Sequence, residues 1–489
     1  MEYWFGLDPS GYTLAIDLLV RAIGLLYIIV YIPFLYDIRG LIGKDGILPL
    51  SEYLPIIKER LGNKRFYYLP TLFWINSSDR ALLGIVWFGM LLGFLLMLGI
   101  CPPLILFMLY LVHLSLTSAG QDFMHFGWET FLMEITQGAF LIVATLPYNT
   151  IGWIGLNFLL FRFHFQAGYS KILSQDPNWK NLTAISYHYL TQPLPNTISW
   201  YFHKLPLWFH KLSVGIMFYG EMLIPFAIFS PPEVRLFVFT QLVGLQLTIW
   251  FTGNLSYLNH MTIICCIILV HNKFLEPFLG AAAPMGDPSP WLWQGFITVL
   301  ASGWLALEVI NFVHMIFPRH IFNRILSFFY PLHMAYPHGI FAVMTTKRYE
   351  IIIEGSNDGQ NWREYQFFYK PGDIAWRPRR ISPYQPRLDW QAWFLPFRSF
   401  NTQLWFQQFL TKLLQGSYRV TKLLKYNPFP DSPPRFIRAL VYDYEFTTSK
   451  EREETGHWWK RRLLGSFSPT MRLATDEDKH PDEKKNSNS

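Results

Sequence analysis

The chain has 489 residues, of which 51% are hydrophobic, 18% aromatic and only 15% charged, against about a quarter in ordinary globular proteins. With a mean hydropathy of +0.18, that balance excludes a large soluble protein and points to an integral membrane one. The net charge of +7 is spread over loops and the C-terminal third rather than gathered in a basic arm or an aromatic-interleaved stripe, which argues against nucleic-acid binding.

The first ten residues, MEYWFGLDPS, lack the basic region of a cleaved signal, and the apolar run that follows is long enough to stay as a span. Taking about 20 apolar residues per crossing, candidate spans fall at roughly 14–35, 80–100, 102–118, 128–147, 150–167, 212–230, 234–253, 258–276 and 292–317. That makes about eight or nine spans. The runs at 102–118 and 150–167 are short, and the second carries Arg162 and His164; tilted, re-entrant or bundle-buried helices are the alternatives there. Residues 36–79 open with DIRGLIGKDGILP, whose glycines and proline break a helix. Residues 168–211 are dense in Trp, Tyr and His, as in a segment lying at the headgroup level. Residues 1–330 thus read as a helical transmembrane domain with polar loops 36–79 and 168–211. The Lys and Arg of the 36–79 loop favour the cytosol by the positive-inside rule, which weakens for long loops.

Residues 331–472 read as a water-facing C-terminal domain of mixed β and α content. KRYEIIIEGSNDGQNWREYQFFYK has β-rich runs on both sides of a Gly/Ser/Asn/Asp turn, a hairpin pattern. Residues 388–426 have the pattern of one or two aromatic-rich amphipathic helices, and RFIRALVYDYEFTT returns to strand. Residues 473–489 are polar, aromatic-free and expected to be disordered. Cys101, Cys265 and Cys266 form no CxxC pair, so neither a disulfide framework nor a zinc site is written, and no cofactor is expected.

Asp122, His125, Glu129 and Glu134 lie in GQDFMHFGWETFLMEITQG, between two apolar runs, although a charge at membrane depth costs roughly 2.5 to 3.5 kcal/mol. On one helix Asp122, His125 and Glu129 share a stripe, suited to a metal, a proton relay or pairing with cations. The bland reading leaves Asp122 and His125 at the interface and Glu129 and Glu134 deep, paired with Arg; Gly127 interrupts the stripe and argues against a rigid ligand set. Arg21, Arg162 and Glu221 lie in other spans, and ions at depth find one another inside the bundle. Arg162 is expected to pair with Glu134 or Glu221, and Arg162 and Arg21 to neutralise Glu129 and Glu134. Lys171 follows FQAGYS, where Ala167 and Gly168 permit close helix approach. Withdrawal from water turns lysines into bases or nucleophiles; the bland alternative is a snorkelling side chain. Sequons stand at Asn76, Asn181 and Asn254.

Ordered blocks along nearly the whole chain, among them LIGKDGILP, FGWETFLME, LTAISYHYLTQPLPN, GNLSYLN, TTKRYEIIIEGSNDG, ISPYQPRLDWQAWF and NPFPDSPPRFIRA, resemble the lipase maturation factor family. The resemblance implies a polytopic protein whose eukaryotic relatives reside in the endoplasmic reticulum and help secreted dimeric lipases assemble. It also implies lumenal loops and a lumenal C-terminal domain, contrary to the loop charge. AGYSK followed by DPNW is similar to a segment of the vitamin K-dependent γ-carboxylase, over about a quarter of the chain; that likeness implies Lys171 as a base toward a quinone. IIIEGSNDGQNWREY resembles the hairpin of discoidin-like β-sandwiches.

The leading reading is a membrane-embedded, chaperone-like maturation factor rather than an enzyme, with partly folded secreted or envelope proteins as clients, lipases by resemblance, and membrane lipid as its surroundings. Trp179, Tyr187, Tyr189, Trp200, Trp208 and Phe209 are its candidate client contacts. The rival is an intramembrane enzyme acting on a lipid or quinone, with Lys171 as base helped by Glu134, His188 or His203. A transporter would need internal repeats with broken helices, and none is visible. The expected location is the endoplasmic reticulum membrane in a eukaryote, or the inner membrane in a bacterium.

Overall fold

A computed structural model describes residues 8–474; most of the tail expected to be disordered therefore lies outside the described residues. The chain forms two units. Within the described residues, the first takes in residues up to Tyr36, Leu54–Thr346 and Arg379–Gln385; the second takes in Asp37–Tyr53, Lys347–Pro378 and the chain from Pro386 on.

Among the described residues, six helical segments are long and apolar enough to cross a membrane: Pro9–Leu41, Asp79–Met97, Pro102–Ala119, Leu207–Phe229, Pro232–Thr252 and Trp291–Ile316. Leu258–Leu269 with Asn272–Leu279, bent by 104°, makes a seventh if the pair is one broken span. The expected eight or nine spans therefore become six or seven. The difference lies in two inner helices. Gly127–Val143 has 17 residues, almost all buried, and Thr150–Leu173 carries Asn157, Arg162, His164, Gln166 and Lys171 on buried positions.

We number the helices used below α1 (Thr13–Leu41), α2 (Asp79–Met97), α3 (Pro102–Ala119), α4 (Gly127–Val143), α5 (Thr150–Leu173), α6 (Leu207–Phe218), α7 (Pro232–Thr252), α8 (Leu258–Cys266) and α9 (Trp291–Ile316). Their starts follow local chemistry. Ser78 Oγ accepts from the Ala81 N–H at 3.3 Å to cap α2, and Asn149 Oδ1 accepts from the Gly152 N–H at 2.9 Å to cap α5. In the bundle, α4 lies against α3 and α5, and α5 against α9. Trp304 of α9 fills a notch that only hydrogen side chains leave open: a Cβ on Gly138 or Gly155 would lie 2.9 or 2.7 Å from its ring. Its indole N–H donates to Gln137 Oε1 at 3.1 Å. At the contact of α1 with α2 the backbones themselves touch, since a Cβ on Gly93 would sit 2.7 Å from the Gly24 carbonyl oxygen. Such close approach of small residues replaces hydrophobic driving force where the solvent is lipid.

Beyond α9 an irregular strap, residues 332–344, is fixed to the bundle by its own backbone. Tyr110 donates to the Leu332 carbonyl at 2.8 Å, Asn311 to that of Ala335 at 2.7 Å and Trp179 to that of Phe341 at 3.1 Å. The Met344 N–H donates to Asp176 Oδ2 at 2.6 Å. Buried backbone away from helices has to find partners of this kind.

The second unit holds a four-stranded antiparallel sheet, β1 (Arg348–Ser356), β2 (Arg363–Glu364), β3 (Phe436–Phe446) and β4 (Trp459–Ser466), in the order β2-β1-β3-β4. Central β1 is buried almost throughout, and its register sets Ile352 opposite Leu440. Glu350 on β1 is satisfied by Arg348 at 2.6 Å and Lys370 at 2.8 Å. The expected hairpin is β1–β2. Its turn is built by Asp358, which accepts from the N–H groups of Asn361 at 2.7 Å and Gln360 at 2.8 Å. Those donors, with the Asn361 amide, hold the Asp358 carboxyl well below the usual carboxylate range. The discoidin likeness leads one to expect a second sheet, but the layer against β3 is the helix α10 (Leu404–Leu414), with Trp405, Phe406, Phe409 and Leu410 buried. The LIGKDGILP block also belongs to this unit: the N–H groups of Ile47, Leu48 and Leu50 donate to the carbonyls of Gly40, Leu41 and Ile42 at 2.9, 2.8 and 2.9 Å.

The backbone contact of α1 with α2 yields a direct test. Gly93→Val should destabilise the detergent-solubilised protein by about 1 to 3 kcal/mol or more through overpacking. Gly84→Ala, on the same helix with nothing within 4 Å of its Cβ position, should not destabilise it and by helix propensity should gain up to about 1 kcal/mol. Thermal unfolding of both variants checks the pair.

Candidate functional site

The C-terminal end of α5 brings Lys171 to the wall of a cavity of about 530 Å³ inside the helical unit. Opposite it stands Glu221, in a π-helical stretch, Tyr219–Leu223, that follows α6 and gives way to the 3-10 turn Ile224–Phe229. This change of helix type turns Glu221 toward α5, and π-bulges of this kind recur at functional sites. Gly168 permits the approach, because a Cβ there would lie 2.6 Å from Met222 and 3.1 Å from the Glu221 Cβ. The Lys171 Nζ donates to Glu221 Oε2 at 2.9 Å, to Oε1 at 3.2 Å and to the Ala167 carbonyl at 2.9 Å. All three ammonium hydrogens are thereby used, and an ammonium has no lone pair with which to take a proton. Trp179 lies beside it, its ring centre 5.5 Å from Nζ. His188, on the short helix Ala184–Thr191, also lines the cavity; burial, then the nearby Lys171 charge, push its pKa down to about 4, so the ring is neutral. Phe163, Phe202, Phe209, Leu255 and Phe341 make most of the remaining wall apolar.

A separate ion cluster lies deeper in the same unit. Arg162 of α5 contacts Glu134 of α4 at 3.1 Å and Glu308 of α9 at 2.6 Å, all three side chains fully buried. It also donates to the Tyr336 carbonyl at 2.6 Å, to Asn311 at 2.9 Å and to Gln166 at 3.1 Å. Glu134 in turn accepts from the Tyr336 N–H at 2.5 Å and from His338 Nε2 at 2.6 Å. Each charged side chain in this cluster has at least one ionic or hydrogen-bonding partner, as charges in a low-dielectric interior require, while Glu308 Oε1 has none among the described residues.

The sequence-predicted residues thus fall into different places. Lys171 and His188 share the cavity, whereas Glu134 belongs to the Arg162 cluster. His203 is half-buried, with Nδ1 2.9 Å from the Ser186 carbonyl, and does not line the cavity. The four therefore do not converge on one reacting centre. Of the expected polar cluster, Glu129, Glu134, Arg162 and Glu221 are buried, but Glu221 is held by Lys171. Asp122 and His125 are exposed on a 3-10 turn ahead of α4 and its immediate approach, not on one helical stripe with Glu129. Arg21 is half-buried and away from these acids: it pairs with Asp17 at 2.7 Å and donates to the Met97 carbonyl at the end of α2 at 3.2 Å. Glu129 is satisfied without a cationic partner from Arg, by Tyr257 at 2.6 Å and His113 Nε2 at 3.0 Å. Among the candidate client contacts, Trp179, Tyr189 and Trp200 are buried and cannot form an outer surface. Tyr187 and Phe209 are half-buried, and Trp208 is 66% exposed.

Sequence reasoning missed Glu308, Asn311 and His338, which come from the last span and the strap, and His113 and Tyr257. It also missed Arg235, a buried cation that pairs with no carboxylate among the described residues. Arg235 donates to Asn157 at 2.9 Å and to the carbonyls of Ile228 at 2.8 Å and Ile268 at 2.9 Å, where helical hydrogen bonding is broken. An Arg or Glu inside an apolar run is the signal that could have found Arg235 and Glu308. Asn254 is no sequon in practice: it is buried, donates to Leu194 and Arg379, and accepts from the Ile381 N–H at 3.0 Å.

Two predictions follow from these clusters. Arg162→Leu leaves two buried carboxylates and should cost about 3 to 5 kcal/mol, read as a large drop in detergent thermostability. Lys171→Met should destabilise strongly by stranding Glu221. Adding Glu221→Gln should recover part of the loss, with a coupling of about 0.5 to 3 kcal/mol in a double-mutant cycle.

A profile described as the lipase maturation factor transmembrane domain matches residues 14–277, and one described as the lipase maturation factor C-terminal domain matches 334–469. Lipase maturation factor 1 of Mus musculus is 31% identical, over 96% of this chain and 88% of its own length. The Bos taurus protein of the same name is 30% identical over 93% and 88%. Lipase maturation factor 2 of Gallus gallus is 28% identical over 93% and 81%. No solved structure matches. The likeness to the γ-carboxylase draws no support from these matches. A profile covering more than half of the chain, together with relatives aligned across both units, makes this multi-pass membrane protein a member of the lipase maturation factor family.

Proposed function

We propose that the protein is a membrane-embedded maturation factor that brings partly folded secreted or envelope proteins to their assembled form, with lipases as the client class. The observation that carries this reading is the continuity of the family likeness, 96% of the chain against the Mus musculus lipase maturation factor 1. A factor acting only through its membrane helices would not need that likeness to extend through the C-terminal domain. We place the protein in the endoplasmic reticulum membrane of a eukaryotic host, or in the inner membrane of a bacterial one.

The state of Lys171 favours assembly over proton chemistry, because its three hydrogens are already donated within the protein. Client contact falls to the aromatics that keep accessible surface: Trp208 first, then Phe209 and Tyr187. Incompletely folded clients expose apolar surface, and rigid aromatic side chains bind it broadly with little loss of entropy.

Expression of the full chain together with a secreted dimeric lipase, in cells lacking their own maturation factor, tests the proposal. The specific activity of the secreted lipase should rise. Trp208→Ala should reduce that rise with unchanged membrane abundance, whereas Trp200→Ala, which empties a buried site, should lower abundance itself. A correctly inserted wild-type chain that leaves lipase activity unaltered would sink the proposal.

A further inference from the structure

The cavity beside Lys171 carries two polar atoms that the protein leaves unused. His164 of α5 is 1% exposed, and its Nδ1 lies 2.9 Å from the Leu160 carbonyl. A carbonyl oxygen can only accept, so Nδ1 bears the ring hydrogen and Nε2 presents a lone pair. Asn259 of α8 is also 1% exposed; its Nδ2 donates to Gln246 Oε1 at 2.8 Å, which leaves Oδ1 as the free acceptor. Both residues line the cavity, and among the described residues neither His164 Nε2 nor Asn259 Oδ1 has a hydrogen-bond partner. Buried polar atoms are nearly always satisfied, and an unsatisfied one costs about 1 to 3 kcal/mol.

Everything else in the cavity narrows what can satisfy them. The Lys171 ammonium has no hydrogen left to offer and is neutralised by Glu221, so the site has no free cation for a phosphate or carboxylate. The two buried atoms left without a partner are both acceptors, which repel an anionic head and call for a donor such as a hydroxyl. The wall around them is largely aromatic and aliphatic, and a volume of about 530 Å³ is within the range of pockets that enclose one small ligand, about 300 to 1,000 Å³. The walls come from α5, α6, α7, α8, the short helix Ala184–Thr191 and the strap, with the π-helical stretch after α6, and α6 and α7 belong to segments apolar enough to span the membrane.

We propose that this cavity binds a neutral lipid whose polar end is a hydroxyl group, the hydroxyl donating to His164 Nε2 or Asn259 Oδ1 while the apolar body lies against Phe163, Phe202 and Leu255. Monoacylglycerols and sterols share this chemistry. The site lies within the helical unit and shares only Phe209 with the proposed client contacts.

The test uses the full-length protein in phosphatidylcholine nanodiscs, with radiolabelled monoacylglycerol in one arm and radiolabelled sterol in the other. Each is competed by the unlabelled alcohol and by its methyl ether, which keeps the apolar body and removes the donor. The alcohol should compete about tenfold or more better than its ether in at least one arm, the equivalent of one buried hydrogen bond, and the arm that responds identifies the source. A fatty acid of equal chain length should compete no better than the ether. His164→Phe and Asn259→Leu should erase the preference for the alcohol while still admitting the ether. Equal competition by alcohol and ether on the wild-type protein, or saturable binding in neither arm, overturns the proposal. The wild-type comparison decides even where a variant fails to fold.

Discussion

The buried guanidinium of Arg162, held between Glu134 and Glu308, is the interaction on which the helical unit depends. It joins α4, α5 and α9 at one point, and through Tyr336 and His338 it also seizes the strap that follows α9. Charges of this kind are costly to strip of water, and they are tolerated only when every partner stays in place. The same three helices meet around Trp304, lodged against Gly138 and Gly155. Shape and charge therefore specify one arrangement of α4, α5 and α9, which hydrophobicity alone cannot do in a lipid solvent.

Irregular backbone elsewhere in this unit is treated in the same way. The π and 3-10 turns after α6 free carbonyl groups, and Arg235 collects that of Ile228 together with Ile268. Asn254 gathers Leu194, Arg379 and Ile381, so that the segment Arg379–Gln385 takes its place in the first unit. These breaks leave the cavity between α5 and the α6–α7 pair, and the strap closes one side of it with Ile340, Phe341 and Met344. The ion cluster and the cavity are thus mechanically linked, because the strap that Glu134 and Arg162 hold is also a cavity wall.

Much of this was legible in the sequence. Long apolar runs predict membrane helices directly, and the β-rich runs flanking a Gly/Asn/Asp turn predict the hairpin of β1 and β2. A carboxylate and an arginine on neighbouring spans suggest their own pairing, as with Glu134 and Arg162. What could not be read is long-range. Glu129 satisfied by Tyr257, and Glu134 by His338, join positions far apart in sequence, and no periodicity marks them. An aromatic-rich segment such as 179–209 does not say which rings face inward: Trp179 and Trp200 are buried while Trp208 is not. The LIGKDGILP block reads as a membrane-side loop, yet its backbone is ordered inside the second unit.

For a maturation factor, a rigid membrane frame has a clear physical use, since exposed aromatics bind a client weakly unless they are held in place beforehand. The central claim is that the strap is locked to the bundle by the carboxylate cluster although, past the 3-10 turn Tyr330–Leu332, it forms no helix of its own. Hydrogen–deuterium exchange of the purified full-length protein measures this directly at the amides of Tyr336, His338 and Met344, which donate to Glu134, Gln166 and Asp176. The account predicts protection comparable with the centre of α5; exchange at the rate of an open loop would contradict it.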